Sequence, residues 1–478
     1  MRQVTGPSDR VVVVGAGFAG LSAALHLRGA GRSVTVVEAA TKPGGCARGA
    51  ALAGHPIDTG PTVITMTETI DTAMGAVGST LAEHVRLRRL DPVYRAEFAD
   101  GTGLCVSTDV DATASRIADL AGAREADGYR RLVRHLGRLY RAERDSFIDR
   151  NIDGVGELVR PDLARVVALG GLRSVHGLIA RYLRDERVRR VFTFQSLYAG
   201  VSPWRARAAY AVIAYLDTVG GAVYPEGGVR ALPAAMAAVA ARAGVTVRYG
   251  APVVRVRMSA DRARGVELAS GETIRADAVV LALDAPRGCA ELLGRPAGRV
   301  HASPSCVLVR LVRREPAPLP HHVVSFGNAW RSTFADLTRH GRLMRDPSLL
   351  VTTPPDGAAQ AVLAPAPNLD RAPAIDWAAI GPRYRDELLC TLAGRGLELH
   401  DGIEAAQIVT PLDWKRDGHT AGTPFGAAHT LRQTGPWRLP NLVPGLANVV
   451  LAGAWTTPGV GVPMAVISGR LAAERITG

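Results

Sequence analysis

Lysine is almost missing from this 478-residue chain: Lys42 and Lys415 are the only two, so the 57 basic residues behind a net charge of +13 are nearly all arginine. So one-sided a choice reads as a coding bias rather than a built basic patch. No cluster of basic and aromatic residues and no nucleic-acid-binding motif accompanies the charge, so no nucleic-acid partner is expected. A cationic face on an anionic membrane stays open, since each basic residue near such a surface contributes about 1 kcal/mol. Aromatics are scarce at 5%, yet the chain is 47% hydrophobic, which is ample for a packed core and argues against disorder. Cysteine is sparse too. Cys46, Cys105, Cys289, Cys306 and Cys390 are odd in number and far apart, without zinc-ligand or redox spacing, which fits a reducing cytoplasmic setting. The ten residues before Val11 hold no signal-peptide apolar core. The longest uninterrupted apolar run, residues 234–241, falls well short of the ~18 needed for a transmembrane helix, so membrane contact is expected to be peripheral. His321, His322, His419 and His429 have no partner at ligand spacing; they read as surface or loop histidines, and no metal is expected. Serine-hydrolase elbows are absent.

What is present begins at once. Residues 11–14 are four consecutive valines, read as a buried parallel strand. Gly15-Ala16-Gly17-Phe18-Ala19-Gly20 follows, residues 21–27 read as a helix closed by Gly29 and Gly31, and residues 33–37 form a second strand ending at Glu38. Further on, a helix is expected at 129–144 and a basic amphipathic block at 157–190. Next come a helix at 232–243 with strands at 245–249 and 276–283, then a proline-jointed region at 295–435 (316–320, 354–355, 365–367). A strand at 449–451 and a closing helix end the chain. The length calls for two or three domains. The expected layout is α/β: a Rossmann-like dinucleotide-binding domain of separated segments (1–80, 225–290 and 440–478), an α+β substrate domain (81–109 and 291–439) and a helical lobe (110–224).

The glycine motif carries the first chemistry. Gly15 permits a tight turn, Gly17 lets backbone N–H groups approach a pyrophosphate, and Gly20 allows helix to pack on strand. The helix N-terminus then turns its partial positive charge toward the phosphates. Glu38, eighteen residues after Gly20, stands where a carboxylate accepts from an adenosine ribose and disfavours a 2′-phosphate. A glycine-rich turn without a ligand is the plain alternative. The motif does not separate FAD from NAD. Lys42-Pro43-Gly44-Gly45 and Asp58-Thr59-Gly60-Pro61-Thr62 follow it. Near the end, Leu451-Ala452-Gly453-Ala454-Trp455 precedes Pro458-Gly459-Val460-Gly461-Val462-Pro463-Met464. A second helix N-terminus at residues 463–465 would face a flavin pyrimidine, where negative charge develops on reduction; a turn shaped by Gly and Pro is the simpler reading.

With these segments in view, the chain resembles the bacterial-type phytoene desaturases, FAD-dependent carotenoid desaturases. The likeness rests on residues 11–21, on Gly60-Pro61-Thr62-Val63-Ile64-Thr65-Met66 and Phe194-Gln195-Ser196-Leu197-Tyr198-Ala199-Gly200, and on Tyr224-Pro225-Glu226-Gly227-Gly228, Ala421-Gly422-Thr423-Pro424-Phe425 and residues 453–464. The resemblance implies non-covalent FAD held by Gly15, Ala16, Gly17, Phe18, Ala19, Gly20, Glu38, Gly45, Gly60, Pro61, Thr62, Val63, Gly453, Gly461, Val462, Pro463 and Met464. It also implies a hydrophobic polyene substrate that loses a hydride to flavin and a proton from the neighbouring carbon, with quinone or oxygen as the electron acceptor. One departure stands out: the family usually has Arg after the paired glycines, where this chain has Cys46, and Arg48 is the available substitute.

The resemblance also points to a catalytic segment at Arg160-Pro161-Asp162. Arginine stays protonated, so Arg160 would place a charge beside the reacting centre rather than act as a base. Asp162 would accept a proton if burial raised its pKa. A solvated Arg–Asp pair at a helix start is the plainer reading. The 157–190 block, with a bilayer-dissolved substrate, would lie on the inner face of the cell membrane as a peripheral surface; packing that apolar face into the core is the alternative. The expected function is FAD-dependent oxidation of a carotenoid precursor. Its rivals are a relative acting on another polyene or natural product, and an isoprenoid escort protein without redox chemistry.

Overall fold

The computed structural model describes residues 2–315, 317–355 and 359–478; Pro316, at the start of one expected proline joint, lies outside them. Strand Arg10–Val14 sits at the middle of a five-stranded, all-parallel sheet. Its neighbours, in spatial order, are Val449–Leu451 and Ala278–Leu281 on one side, and Ser33–Val37 and Thr246–Arg248 on the other. The valine run is buried on both faces because both faces are covered. Val11 and Val13 join the core of helices Phe18–Gly29, Ala231–Arg242 and Val462–Thr477. Val12 and Val14 join a second core beneath the small sheet of Val253–Ser259, Arg262–Leu268 and Thr273–Arg275, with helix Ala285–Leu293. Helices Phe18–Gly29 and Val462–Thr477 pack closely enough that a Cβ on Gly469 would collide with the Ala19 carbonyl and the Ser22 side chain.

A seven-stranded sheet forms the second layer. Its order is Ile403–Val409, Ser305–Arg313, Ala359–Ala366, Leu349–Thr352, His322–Phe326, Tyr94–Phe98 and Gly103–Val106. Strand alternation gives it two different faces. Val307, Val309, Leu311, Val351 and Val362 pack against Leu388, Leu389 and Leu392 of helix Trp377–Ala393. The opposite face is set by the register Leu308↔Leu363, Leu363↔Leu350, Leu350↔Val324 and Val324↔Ala96. That face looks toward the first domain and the helical lobe.

The lobe begins with helices Val110–Ala121 and Ala123–Glu143, the second starting earlier than the sequence pattern suggested. The basic block is not one amphipathic helix. It breaks into Pro161–Ala168, Val175–Ile179 and Glu186–Val191. Gly170, at φ +79°, turns the chain after the first. After the second, the Glu125 carboxylate accepts the backbone N–H groups of Arg184 and Asp185 and fixes a bend there. The apolar residues divide accordingly: Val166, Val175, Leu178, Ile179 and Leu183 are buried, whereas Val159, Val167 and Leu172 are exposed. Among the described residues no helix is long and apolar enough to cross a membrane.

His321 and His429 lie in loops, as expected, whereas His322 opens strand His322–Phe326; all three are buried. His321 Nδ1 bonds the Thr353 carbonyl at 2.9 Å and His322 Nδ1 the Val93 carbonyl at 3.2 Å, so each serves as an internal strap between strands. Among the described residues no group of His, Cys, Asp or Glu is arranged to hold a metal ion.

Candidate functional site

The three glycines of the N-terminal motif have different physical reasons to be glycine. Gly15 has φ +105°, and a Cβ there would lie 2.5 Å from the Ala282 carbonyl oxygen. A Cβ on Gly20 would collide with the Gly15 carbonyl oxygen. Gly17 has an ordinary extended backbone (φ −78°, ψ 179°), and the nearest atom to its Cβ would be Gly45 Cα at 3.8 Å. Nothing in the protein excludes a side chain at Gly17. What glycine provides there is open space at the N-terminus of helix Phe18–Gly29, whose first N–H groups have no partners within the helix. Gly45, at φ +55°, faces Gly17 across that space. The loop is held over it by Gly44 N–H to the Ala16 carbonyl at 2.9 Å. Gly17 and Gly45 therefore frame a cradle that a Cβ would narrow, as a bound pyrophosphate requires.

Glu38 stands at the cradle's edge, half-buried. Its Oε2 accepts the Ala16 N–H at 2.7 Å and its Oε1 the Ala40 N–H at 2.8 Å. A carboxylate has roughly four acceptor sites, so acceptor capacity remains for ribose hydroxyls while the same group fixes the glycine loop. That structural task was not visible in the sequence.

Next to Gly45, the chain that departs from the family pattern finds a distant partner. Cys46 Sγ lies 3.6 Å from His419 Nε2. Burial pushes the Cys46 thiol up, but the hydrogen bond and charge of His419, with help from Arg48, outweigh it and leave the thiol below its ordinary value. Burial pulls His419 down, but the Cys46 thiolate, Asp284 and Asp417 outweigh it and leave the imidazole above its ordinary value. A cysteine–histidine pair in which each group favours the charged form of the other thus occupies the place of the family's Arg. Arg48, the expected substitute, points instead at Asp417, 3.5 Å away.

Residues 58–64 are clamped beside it. Thr59 Oγ1 donates to the Cys46 carbonyl at 2.7 Å, and a Cβ on Gly60 would lie 2.5 Å from the same oxygen. Asp58 accepts from the Tyr224 hydroxyl (2.7 Å) and the Val229 N–H (2.9 Å), so two of the motifs quoted above meet. Gly60 and Thr62 then form one wall of a cleft whose other wall is the seven-stranded sheet, with Leu308, Arg310, Leu350, Thr352 and Leu363 lining it. Thr62 Oγ1 reaches Thr352 Oγ1 at 3.2 Å. Arg310 is buried, with burial lowering its pKa, and donates to Gln407 Oε1 and the Thr59 carbonyl at 3.0 Å each.

The C-terminal segment is fixed from below. Gly453 N–H donates to Ser468 Oγ at 3.0 Å, and the Trp455 indole donates to Asp284 Oδ2 at 2.9 Å. Buried Arg438 donates to the carbonyls of Ala454 (2.5 Å) and Thr456 (2.7 Å). Gly461, at φ +118°, precedes helix Val462–Thr477, which begins with Val462, Pro463 and Met464. The helix therefore starts within one residue of the expected position.

Arg160 and Asp162 are elsewhere. Arg160 is exposed at the N-cap of helix Pro161–Ala168. Asp162 accepts from Ser146 Oγ and, at 2.9 Å, from Arg165; the Ser146 bond, then Arg165 and Arg160, hold its carboxyl below the usual range. The condition for a base at Asp162, a pKa raised by burial, is not met. The plainer reading of a charged pair at a helix start describes it. Sequence reasoning missed Arg310, His419 and Arg438 as site residues, all brought in from distant segments.

Comparison with known proteins bears on the whole chain. Residues 18–477 match the family model described as flavin containing amine oxidoreductase. A protein of Streptomyces griseus named phytoene dehydrogenase is 52% identical, the alignment covering 100% of this chain and 97% of that protein. A zeta-carotene-forming phytoene desaturase of Myxococcus xanthus is 34% identical, over 98% of this chain and 93% of its own. Among solved structures, an oxidoreductase from Methanosarcina mazei superimposes with a TM-score of 0.64 at 14% identity, over 96% of this chain and 98% of its own, which is a likeness of fold.

Proposed function

The chain belongs to the flavin containing amine oxidoreductase family, within it to the phytoene desaturases, and from that premise we propose that it desaturates a carotenoid precursor such as phytoene. It is an FAD-dependent oxidoreductase with the FAD-binding α/β fold of that family. The observation that carries the substrate class is the likeness, over nearly the whole chain, to a phytoene dehydrogenase and a zeta-carotene-forming phytoene desaturase. In the small cleft between Gly60–Thr62 and the sheet, Leu308, Leu350, Ala361 and Leu363 stand beside Arg310, Thr352 and Gln360, a wall of mixed polarity. Bound FAD supplies an acceptor for the hydride removed from an allylic carbon.

The residues assigned to FAD are the expected ones. Gly15, Ala16, Gly17, Phe18, Ala19, Gly20 and Gly45 bound the pyrophosphate cradle, and Glu38 stands at the ribose. Gly60, Pro61, Thr62, Val63, Gly453, Gly461, Val462, Pro463 and Met464 approach the ring. The open space at Gly17 and the start of helix Phe18–Gly29 support the first group, and the start of helix Val462–Thr477 supports Gly461, Val462, Pro463 and Met464. The division into FAD-binding, substrate and helical parts rests on the two separate sheets, whose strands fall in the corresponding segments.

A peripheral membrane surface on the lobe, at the inner face of the cell membrane, completes the reading. Val159 and Leu172 are 82% and 53% exposed, and Trp437 is 53% exposed on a neighbouring loop. Arg207 donates to the Leu172 carbonyl at 2.9 Å and Tyr210 bonds Thr434 at 2.8 Å, so these segments adjoin. Arg131, Arg134, Arg138 and Arg141 line a groove on helix Ala123–Glu143, and His135 of that helix bonds the Leu169 carbonyl at 2.9 Å. Exposed apolar side chains on a lobe that also carries these arginines suit an anionic bilayer that holds the substrate. Quinone or oxygen would then reoxidise the flavin. The test is anaerobic addition of phytoene in liposomes to the purified, flavin-loaded protein. Bleaching of the flavin band with formation of a more conjugated pigment is expected. Flavin that stays oxidised with phytoene and with other polyenes would overturn the reading.

A further inference from the structure

Arg438 is 4% exposed, and burial pulls its guanidinium down to about 10, so it keeps its charge at neutral pH. A buried charge is costly unless an opposite charge accompanies it. Arg475, also buried, has Asp153 at 2.6 Å. Arg438 has no carboxylate partner among the described residues, and its acceptors are neutral. Nε donates to the Thr456 carbonyl at 2.7 Å, Nη2 to the Ala454 carbonyl at 2.5 Å and Nη1 to the Gln433 carbonyl at 3.3 Å. His429 Nδ1 lies 3.5 Å from Nη1, but burial and Arg438 itself push that imidazole well below its ordinary pKa, which leaves it uncharged. The Tyr210 hydroxyl, 3.0 Å from His429 Nδ1, is raised by burial and is uncharged as well. Beyond Tyr210, burial alone pushes the Glu143 carboxyl well up, so it supplies no anion.

The carbonyls that hold this charge belong to the segment assigned to the flavin. Leu451 ends its strand at the same edge of the parallel sheet as Leu281 and Val14, the edge at which such folds bind ligands. Helices Phe18–Gly29 and Val462–Thr477 both start there. Ser22 Oγ donates to the Val466 carbonyl at 2.7 Å, and Gly469 meets Ala19 and Ser22, so their first turns lie side by side. Gly453–Thr456 is a tight turn on this edge, closed by Thr456 N–H to the Gly453 carbonyl at 3.1 Å. Arg438 takes the carbonyls of Ala454 and Thr456, and a planar trans peptide aims its N–H the opposite way. The N–H groups of Trp455 and Thr457 therefore point away from the guanidinium, and neither has a backbone partner among the described residues. Gly459, at φ +144°, lets the cluster lie against the loop: a Cβ there would come within 2.2 Å of His429 Cε1 and 3.5 Å of Arg438 Nη2.

Resting on the FAD-dependent desaturase reading above, we propose that Arg438 is a positioning residue of the flavin site, and that its counter-charge is the negative charge the flavin ring gains on reduction. It acts through the loop from Gly453 to Gly459. Its hydrogen bonds fix which way the loop's donors face, and its charge stands one peptide layer behind them. The hydride taken from the substrate brings two electrons and one proton, so a neutral ring ends with one negative charge. In a water-poor site a fixed cation stabilises that charge strongly, at no cost of reorganisation. The oxidised ring has no such charge to stabilise, so Arg438 favours the reduced state and with it hydride removal. The N-terminus of helix Val462–Thr477 adds its partial positive charge from the same edge.

The test compares wild type, Arg438→Lys and Arg438→Met as flavin-loaded full chains. It reads the two-electron midpoint potential by dye equilibration, beside the FAD affinity of each protein. Arg438→Met removes the charge and leaves the Ala454 and Thr456 carbonyls without their donor. Its affinity for reduced flavin should fall about tenfold more than its affinity for oxidised flavin, which lowers the potential by about 30 mV. Arg438→Lys keeps the charge but not the planar fork that bridges two carbonyls. Its affinity for oxidised FAD should fall, while the ratio of the two affinities stays within about twofold of wild type, or about 10 mV. With phytoene in liposomes, Arg438→Met should lower kcat and leave KM unchanged. A merely structural arginine would weaken both flavin states alike. An unchanged potential in Arg438→Met therefore overturns the proposal, as does an equal fall in Arg438→Lys. If Arg438→Met does not load flavin, Arg438→Gln, which keeps a donor for one carbonyl without the charge, is read in its place. One measurement needs no variant: flavin bound to the wild type should have a higher potential than free FAD, and a lower one overturns the proposal. A wild type that binds no FAD defeats the flavoprotein reading and this proposal together, whereas a loaded wild type whose potential is indifferent to Arg438 defeats this proposal alone.

Discussion

Cys46 Sγ and His419 Nε2 are 3.6 Å apart although 373 residues separate them in the chain. The contact joins the loop after the first dinucleotide half to the last loop of the substrate region. Its chemistry follows from mutual charge stabilisation: the imidazolium lowers the thiol and the thiolate raises the imidazole. Alkylation of FAD-free protein by iodoacetamide should therefore label Cys46 with a pH midpoint below the ordinary thiol value of about 8.5. His419→Ala should move that midpoint upward. A midpoint that stays in place after His419→Ala would show that the pair does not set the reactivity.

Replacing Cys46 by the family's Arg tests shape against charge. Cys46 is hemmed by Thr59, Gly60 and His419. A guanidinium there meets His419 and a backbone already in contact, so FAD affinity should drop, by about 1–3 kcal/mol of overpacking. In Cys46→Arg combined with His419→Ala the loss should shrink. Titration of FAD into both variants decides; tighter binding in the single variant would mean that the loop accommodates the larger side chain.

The glycines separate ligand space from protein packing. Gly17→Ala should leave FAD-free stability within about 0.5 kcal/mol, because its Cβ meets nothing closer than 3.8 Å, yet weaken FAD binding at least about tenfold. Gly20→Ala should instead destabilise the FAD-free protein by about 1–3 kcal/mol, since its Cβ strikes the Gly15 carbonyl. Thermal melts with and without FAD distinguish the two, and equal FAD-free losses would contradict the packing difference.

Glu38 has two tasks, and two substitutions divide them. Glu38→Gln keeps an acceptor for one loop N–H and removes the charge, so FAD binding should weaken by about 1.5–3 kcal/mol with little change in the FAD-free fold. Glu38→Ala abandons the N–H groups of both Ala16 and Ala40 and should also lower FAD-free stability, by about 1 kcal/mol or more. Unchanged FAD affinity in both would remove Glu38 from the cofactor site.

The membrane surface predicts a specific pattern of binding. Wild-type protein should sediment with anionic liposomes without detergent, less so as salt rises, because screening weakens the arginine contribution. Val159→Asp with Leu172→Asp should reduce sedimentation sharply, while solution stability stays near wild type, since both side chains are exposed. Equal sedimentation by neutral and anionic vesicles, indifferent to salt, would exclude an electrostatic surface.

Much of the fold was legible because its signals are local. Four valines followed by Gly15, Gly17 and Gly20 specify a buried strand, a tight turn and a helix within twenty residues of chain, and Glu38 closes the unit. Strand Val449–Leu451 and the helix after Gly461 were equally plain, since Gly and Pro mark the boundary where the backbone demands them. The site beyond the cradle was not legible. The breaks in the basic amphipathic block were hidden because periodicity does not register Gly170 or the Glu125 carboxylate that bends the chain from another element. His321 and His322 looked peripheral because their partners are carbonyls brought near by the fold, and His429 because its partner is the distant Tyr210 hydroxyl. Asp162 and Asp217 are the same residue type, and composition treats them alike. Only packing separates them, giving the first Ser146 and Arg165 and half-exposure, and burying the second so that desolvation pushes its carboxyl up. The sequence by itself determined the cofactor cradle, whose contacts lie close along the chain. Tertiary structure decided which carboxyl is desolvated and what faces Cys46, because burial and long-range contact exist only after distant segments have met.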